Sequence, residues 1–257
     1  MAQLGDRIGD RTSPVPDAVV SEIVLPDDPN GGPEVQVDYP GYRSTRWRVA
    51  ERPLVTLPEE FHRMDGPVFG EDAIGEFDSD LTRQHDGEPI GERIIVTGRV
   101  LDDDGRPIPN TLVEIWQANA GGRYRHEVDQ HPAPLDPNFS GAGRCLTDAD
   151  GTYRFVTIKP GSYPWGNHEN AWRPNHIHFS VFGREFTRRL VTQMYFPGDP
   201  LFEFDPIFHS VRDPKARELL IASFDLGLTQ PERALGYRWD IVLGRGGSGT
   251  TPLEGQA

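Results

Sequence analysis

The chain has 257 residues, 24 of them proline and 28 glycine, with 36% apolar residues and a net charge of −14. That length allows one large or two small domains whose core needs no disulfide or structural metal. The acidic balance argues against nucleic acid or an anionic membrane as partner, and no stretch nears the roughly 20 apolar residues of a membrane-spanning helix. Cys145 is the single cysteine, so no intrachain disulfide can form. A reducing compartment fits. The N-terminal stretch lacks an apolar run of signal-peptide length, so a cytoplasmic location is expected.

Residues 1–89 read as an irregular arm that packs on the core and on a partner chain. "PDDPNGGPEVQVDYPGY" is too rich in Pro, Gly and Asp for a long regular element. Tyr39, Tyr42, Trp47, Phe61, Phe69 and Phe77 are too many aromatics for a bare linker. A short helix is predicted after Pro58.

The pattern changes at Ile90. "GERIIVTGRVLD" reads as a strand, "DDGRPIPN" as a turn, and "TLVEIWQAN" as a second strand rich in β-branched and aromatic residues. "GRCLTDADGTYRFVTIKPGSY" repeats the logic: strand, Asp-Gly turn, strand, Pro-Gly turn. "NHIHFSVFG" and "RRLVTQMYFPG" are further strands, a helix is predicted over 214–223, and "YRWDIVLG" is predicted as a closing strand. Short strands at close spacing predict an all-β sandwich over residues 90–245, with one or two short helices. Residues 246–257 read as a tail.

Three features with a chemical reading have a plainer one. "DADG" at 148–151 and "DDDG" at 102–105 resemble fragments of a calcium loop. Position 12 counted from Asp148 is Lys159, where the loop needs Glu, so both read as hairpin turns. Cys145 lies in no nucleophile signature and reads as a small strand residue. "NHIHF" is less easily set aside. In a strand, His176, His178 and Ser180 share one face while Ile177, Phe179 and Val181 share the other. The apolar face packs inward and the first presents two imidazoles on a rigid support. Taken alone, such a pair is more often structural than metal-binding. Tyr124 follows a Gly-Gly turn and Tyr163 a Pro-Gly turn. Functional groups often sit at such positions, yet each tyrosine alone suits a sheet edge equally well.

Together the motifs decide more. "WQANAGGRYRH", "PGSYPWGNHENAWRPNHIHFSVFG" and "LVTQMYFPGDPL" closely resemble the intradiol ring-cleavage dioxygenases. The likeness runs from about residue 90 to 243, with a weaker echo in "PGYRST" at 40–45. It implies a prealbumin-like β-sandwich of short antiparallel strands and one mononuclear non-haem ferric ion, Fe3+. The implied ligands are Tyr124, Tyr163, His176 and His178. Asn175 stands where the family has a small residue such as alanine, a change not expected to alter ligation. Phenolate oxygens suit a hard ferric ion, and imidazole suits iron generally.

The resemblance also implies roles. Tyr163 is the tyrosinate that leaves the metal and takes a substrate proton. Arg173 stabilises negative charge on the ring, and Gln193 lies on the oxygen side of the pocket. Trp165 packs on the ring, Tyr42 lines the entrance and Ile207 touches the ring. The N-terminal arm lacks a helical period, unlike the branches that act on catechol and hydroxyquinol. That points to the branch that opens protocatechuate (3,4-dihydroxybenzoate) with O2 to 3-carboxy-cis,cis-muconate in aromatic catabolism, the β-ketoadipate route. In that branch the iron-bearing chain forms a hetero-oligomer with a homologous α chain. Two alternatives stay open at this point: an intradiol enzyme for another catechol, and a non-catalytic prealbumin-like binding module.

Overall fold

Strands β1 (Arg93–Asp102) and β4 (Thr152–Ile158) are near-continuous apolar and β-branched runs, and both are largely buried. In the computed structural model, which describes residues 74–182, 189–244 and 249–252, they belong to a five-stranded sheet with β1 at its centre and β4 along one edge. β1 pairs with β4 antiparallel, from Arg93↔Ile158 to Arg99↔Thr152. On its other side it pairs in parallel with β10 (Leu235–Arg238) and then β11 (Ile241–Leu243). β9 (Ser223–Phe224) adds an antiparallel edge to β10.

A four-stranded antiparallel sheet faces it, in the order β3 (Ala142–Leu146), β2 (Leu112–Trp116), β7 (His176–Phe182), β8 (Arg189–Tyr195). A two-stranded ribbon, β5 (Tyr163–Pro164) with β6 (Trp172–Arg173), stands apart from both sheets. The all-β sandwich expected from the turn spacing is the fold found.

The core between the sheets is aromatic at its centre. Phe179 of β7 meets Trp239 at 4.8 Å, Tyr153 at 5.7 Å and Phe155 at 6.4 Å between ring centroids. Ile177, Phe179 and Val181 are fully buried, as their shared face predicted. Burying one such side chain is worth about 1.5–3 kcal/mol, so β7 is pinned by its inner face. Residues 77–81 cross the end of both sheets: Arg144 N–H donates to Asp78 O and Leu81 N–H donates to Val156 O.

Two expectations on elements need correction. The helix of 214–223 is only Pro214–Glu218 (α2). Beyond it, Tyr195 N–H donates to Leu220 O and Ala222 N–H donates to Tyr195 O, so the apolar Leu-Leu-Ile run is drawn against β8 instead of continuing the helix. The closing strand "YRWDIVLG" is split into β10 and β11 at Trp239 and Asp240, where the Asp240 carboxylate accepts from Arg99 N–H. Two short helices fall outside the predicted elements, α1 (Pro206–Ser210) and the 3-10 helix Pro200–Phe204. Each of the three helices begins at an Asp-Pro pair, with the Asp side chain accepting the N–H two residues on. The short helix predicted after Pro58, and Tyr42, lie outside the described residues. No helix among those residues is long and apolar enough to cross a membrane.

Candidate metal centre and active site

β7 supplies both histidines on one face, and its two neighbours complete that face by register. His178 lies opposite Trp116 on β2 and Gln193 on β8, while His176 lies opposite Tyr195. Directly opposed residues on one face are close neighbours. The Trp116 and His178 rings accordingly stack, 4.8 Å apart and 4° from parallel. His176 is also held from behind, its Nδ1 lying 2.6 Å from Pro174 O. A carbonyl can only accept, so Nδ1 carries the proton and Nε2 presents its lone pair to the site.

The tyrosines arrive on two loops that touch backbone to backbone. Asn119 accepts from Gly121 N–H and Arg123 N–H through its side-chain oxygen, folding the first loop. Gly161 N–H donates to Asn119 O. Gly122 has φ +76°, and a Cβ there would lie 2.1 Å from Ser162 O. Only glycine allows that approach, and it sets Tyr124 and Tyr163 edge to face at 5.2 Å. Asp129 accepts from Tyr124 N–H at 2.7 Å. Tyr163 is paired in the ribbon directly opposite Arg173.

The four side chains converge. Tyr163 Oη lies 3.1 Å from His176 Nε2, and Tyr124 Oη lies 3.1 Å from His178 Nε2. The His176 and His178 rings are 4.8 Å apart. Two phenol oxygens and two imidazole nitrogens facing one point form a donor set suited to a ferric ion. Burial, the Arg173 charge and His178 hold His176 well below the usual imidazole range, so it is neutral, as a metal ligand must be.

Arg173 is the hub of the buried side of the site. Its Nη1 lies 3.2 Å from His176 Nε2. Its Nη2 donates to Gln193 Oε1 (2.6 Å), Tyr195 Oη (3.0 Å) and Asp205 Oδ2 (2.9 Å). Its guanidinium carbon sits 5.6 Å from the Trp165 ring centroid, within cation–π reach. Burial favours losing the proton, but Tyr195, Tyr163 and Asp205 outweigh it and hold the guanidinium firmly charged. Gln193 Nε2 and Arg173 Nε are buried donors without a hydrogen-bond partner. Buried donors are ordinarily paired, so both suit an oxygen of a bound ligand. Ile207 is buried on α1, its N–H donating to Asp205 Oδ1.

Of the residues singled out from sequence, Tyr124, Tyr163, Trp165, Arg173, His176, His178 and Gln193 are brought together, and Ile207 reaches the group through Asp205. Three members of the site were missed: Trp116, Tyr195 and Asp205. Period-2 reading could have found Tyr195, two residues beyond Gln193 on the same strand face. An Asp-Pro cap signal marks Asp205. Trp116 needed the register between β2 and β7, which no local pattern carries. The hairpin readings hold. Asp148 Oδ1 accepts from Asp150 N–H and Thr152 N–H, and Asp102 Oδ1 from Asp104 N–H and Arg106 N–H.

A family model described as dioxygenase matches residues 64–245. The chain is 60% identical over 218 residues to the protocatechuate 3,4-dioxygenase beta chain of Burkholderia cepacia, spanning 84% of this chain and 92% of that one. The chain belongs to the intradiol ring-cleavage dioxygenase family. As a member of this family it is an oxidoreductase. Its likeness extends to the protocatechuate 3,4-dioxygenase alpha chain of Pseudomonas putida, at 28% identity over 74% of this chain and 94% of that one. The intradiol fold is also that of 3-chlorocatechol 1,2-dioxygenase from Rhodococcus opacus 1CP, with a TM-score of 0.51 and 25% identity, covering 70% of this chain and 71% of that chain.

Proposed function

We propose that this chain holds one non-haem ferric ion between Tyr124, Tyr163, His176 and His178. With a homologous α chain and O2, it opens protocatechuate between its two hydroxylated carbons to give 3-carboxy-cis,cis-muconate. The observation that carries the reading is the meeting of two tyrosine oxygens with two histidine Nε2 atoms, each pair 3.1 Å apart. The identity to the Burkholderia cepacia beta chain supports the choice of substrate. When bound, the ferric ion supplies the Lewis acidity and redox capacity that make a catecholate reactive toward O2.

The chain's own residues do the rest. Tyr163, half-buried on the ribbon, would take a proton from a catechol hydroxyl onto its Oη, serving as both holder of the ion and base. Tyr124 stays, held by Asp129 at its backbone and by the Gly122 contact. Arg173 and the free Nε2 of Gln193 face the negative charge that develops on substrate and oxygen. Trp165 and Ile207 confine the ring, and Tyr42 lines the entrance. Residues 90–245 are the catalytic domain, residues 1–89 the arm that meets the α chain, and 246–257 a tail. We place the assembly in the cytoplasm.

Co-expression with a candidate α chain, followed by oxygen uptake and product identification, tests this. The purified complex is expected to be red from tyrosinate-to-iron charge transfer and to prefer protocatechuate over catechol and hydroxyquinol. A colourless protein with full metal loading would defeat the metal assignment, and a preference for catechol would defeat the substrate.

A further inference from the structure

Asp205 is fully buried, and its two oxygens face different ways. Oδ1 caps α1 by accepting from Ile207 N–H at 3.0 Å. Oδ2 accepts from Arg173 Nη2 at 2.9 Å, and both partners of this ion pair are almost wholly shielded from water. Tyr195 Oη lies 3.4 Å from the same Oδ2 and donates to Gln193 Oε1 at 2.8 Å. The carboxylate therefore joins the helix that carries the ring-wall residue to the cation that faces the ligand cluster.

We infer that Asp205 is a positioning residue, acting through Arg173: it fixes the guanidinium against His176 and the substrate ring at a set distance from Ile207. This rests on the function proposed above. The alternative is that Asp205 serves only as a helix cap. Two observations go against that. The cap uses one oxygen, leaving the other aimed at Arg173. The companion Asp-Pro caps, Asp199 and Asp213, show no bond to a charged side chain among the described residues. A buried guanidinium stripped of its carboxylate is left uncompensated and relaxes away from the cluster.

The test uses the α/β complex. Asp205→Asn keeps a capping side chain but removes the charge, whereas Asp205→Ala removes both. Asp205→Asn is expected to retain iron and, because it leaves the buried guanidinium uncompensated, to melt below the parent. Its kcat is expected to fall roughly tenfold or more with KM little changed, and the tyrosinate-to-iron absorption band is expected to shift. An Asp205→Asn variant with parental kcat, KM and band, whatever its melting temperature, would make Asp205 a structural residue alone and overturn the inference. The second arm compares Arg173→Gln with Arg173→Gln/Asp205→Asn. Because Asp205 acts through Arg173, the second substitution is expected to cost no further kcat, and independent, multiplying losses would overturn the inference. This arm decides the matter even where Asp205→Asn alone does not fold. Failure of the parent complex to turn over protocatechuate would strike the functional proposal instead, and the band shift still reads Asp205.

Discussion

At the scale of single residues, the site divides its labour by burial. His176 and His178 are buried on a strand locked by Phe179, while Tyr124 on its loop and Tyr163 on the ribbon are half-buried. In the proposed mechanism only Tyr163 exchanges, and its half-buried place on the two-residue ribbon strand suits that role, while Tyr124 is tied down by Asp129 and the Gly122 contact. Tyr163→Phe is therefore expected to bind iron but lose turnover by about a hundredfold or more, checked by metal analysis beside oxygen uptake. His178→Ala is expected to yield a complex with sub-stoichiometric iron and no red colour. Cys145 offers a different check. Burial pushes its thiol up from 9.0 to about 12. The native fold thus binds that proton more tightly than the unfolded chain does. The associated stability is complete below pH 9 and drains away as pH climbs toward 12. At pH 8 a disulfide-exchange reagent is expected to leave Cys145 untouched until denaturant is added, and rapid labelling of the native protein would contradict the buried placement.

Between elements, what positions the chemistry is often the lack of a side chain. Gly98 of β1 would place a Cβ 1.7 Å from Trp239 O. That carbonyl also accepts from Tyr153 Oη at 2.5 Å, so it cannot yield. Gly98→Ala is expected to destabilise the fold by about 3 kcal/mol, measured as a fall in denaturation midpoint. Such contacts explain what was legible in advance. β1, β2, β4, β7 and β8 announced themselves through local composition and turn residues, and the shared face of His176 and His178 followed from strand geometry alone. The end of α2 at Glu218 did not, because the apolar run after it is claimed by β8 across the fold. Asp205 and Trp116 were hidden for the same reason: their partners are set by register and by long-range packing. Tyr124 and Tyr163 became visible as candidates only as parts of long motifs, since nothing local to "GRYRH" or "GSYPW" says that the two segments meet at Gly122 and Ser162.

For the molecule as a whole, the parallel pairing of β1 with β10 and β11 has a consequence for how the chain is made. β1 is synthesised early, and among its ladders only β4 lies near it in sequence. Its other partners, beginning at Ile94↔Leu235 and Val100↔Ile241, emerge more than a hundred residues later. On the ribosome, then, one side of β1 stays without its strand partners until residues 235–243 have emerged. Such distant closure is slow and leaves an edge open to wrong neighbours. The four-stranded sheet that carries His176 and His178 has all its strands by Tyr195. A nascent chain stalled near residue 230 would hold the sheet of His176 and His178 without β10 and β11 in the sheet that faces it, so late truncations are expected to cost solubility before they remove any candidate site residue.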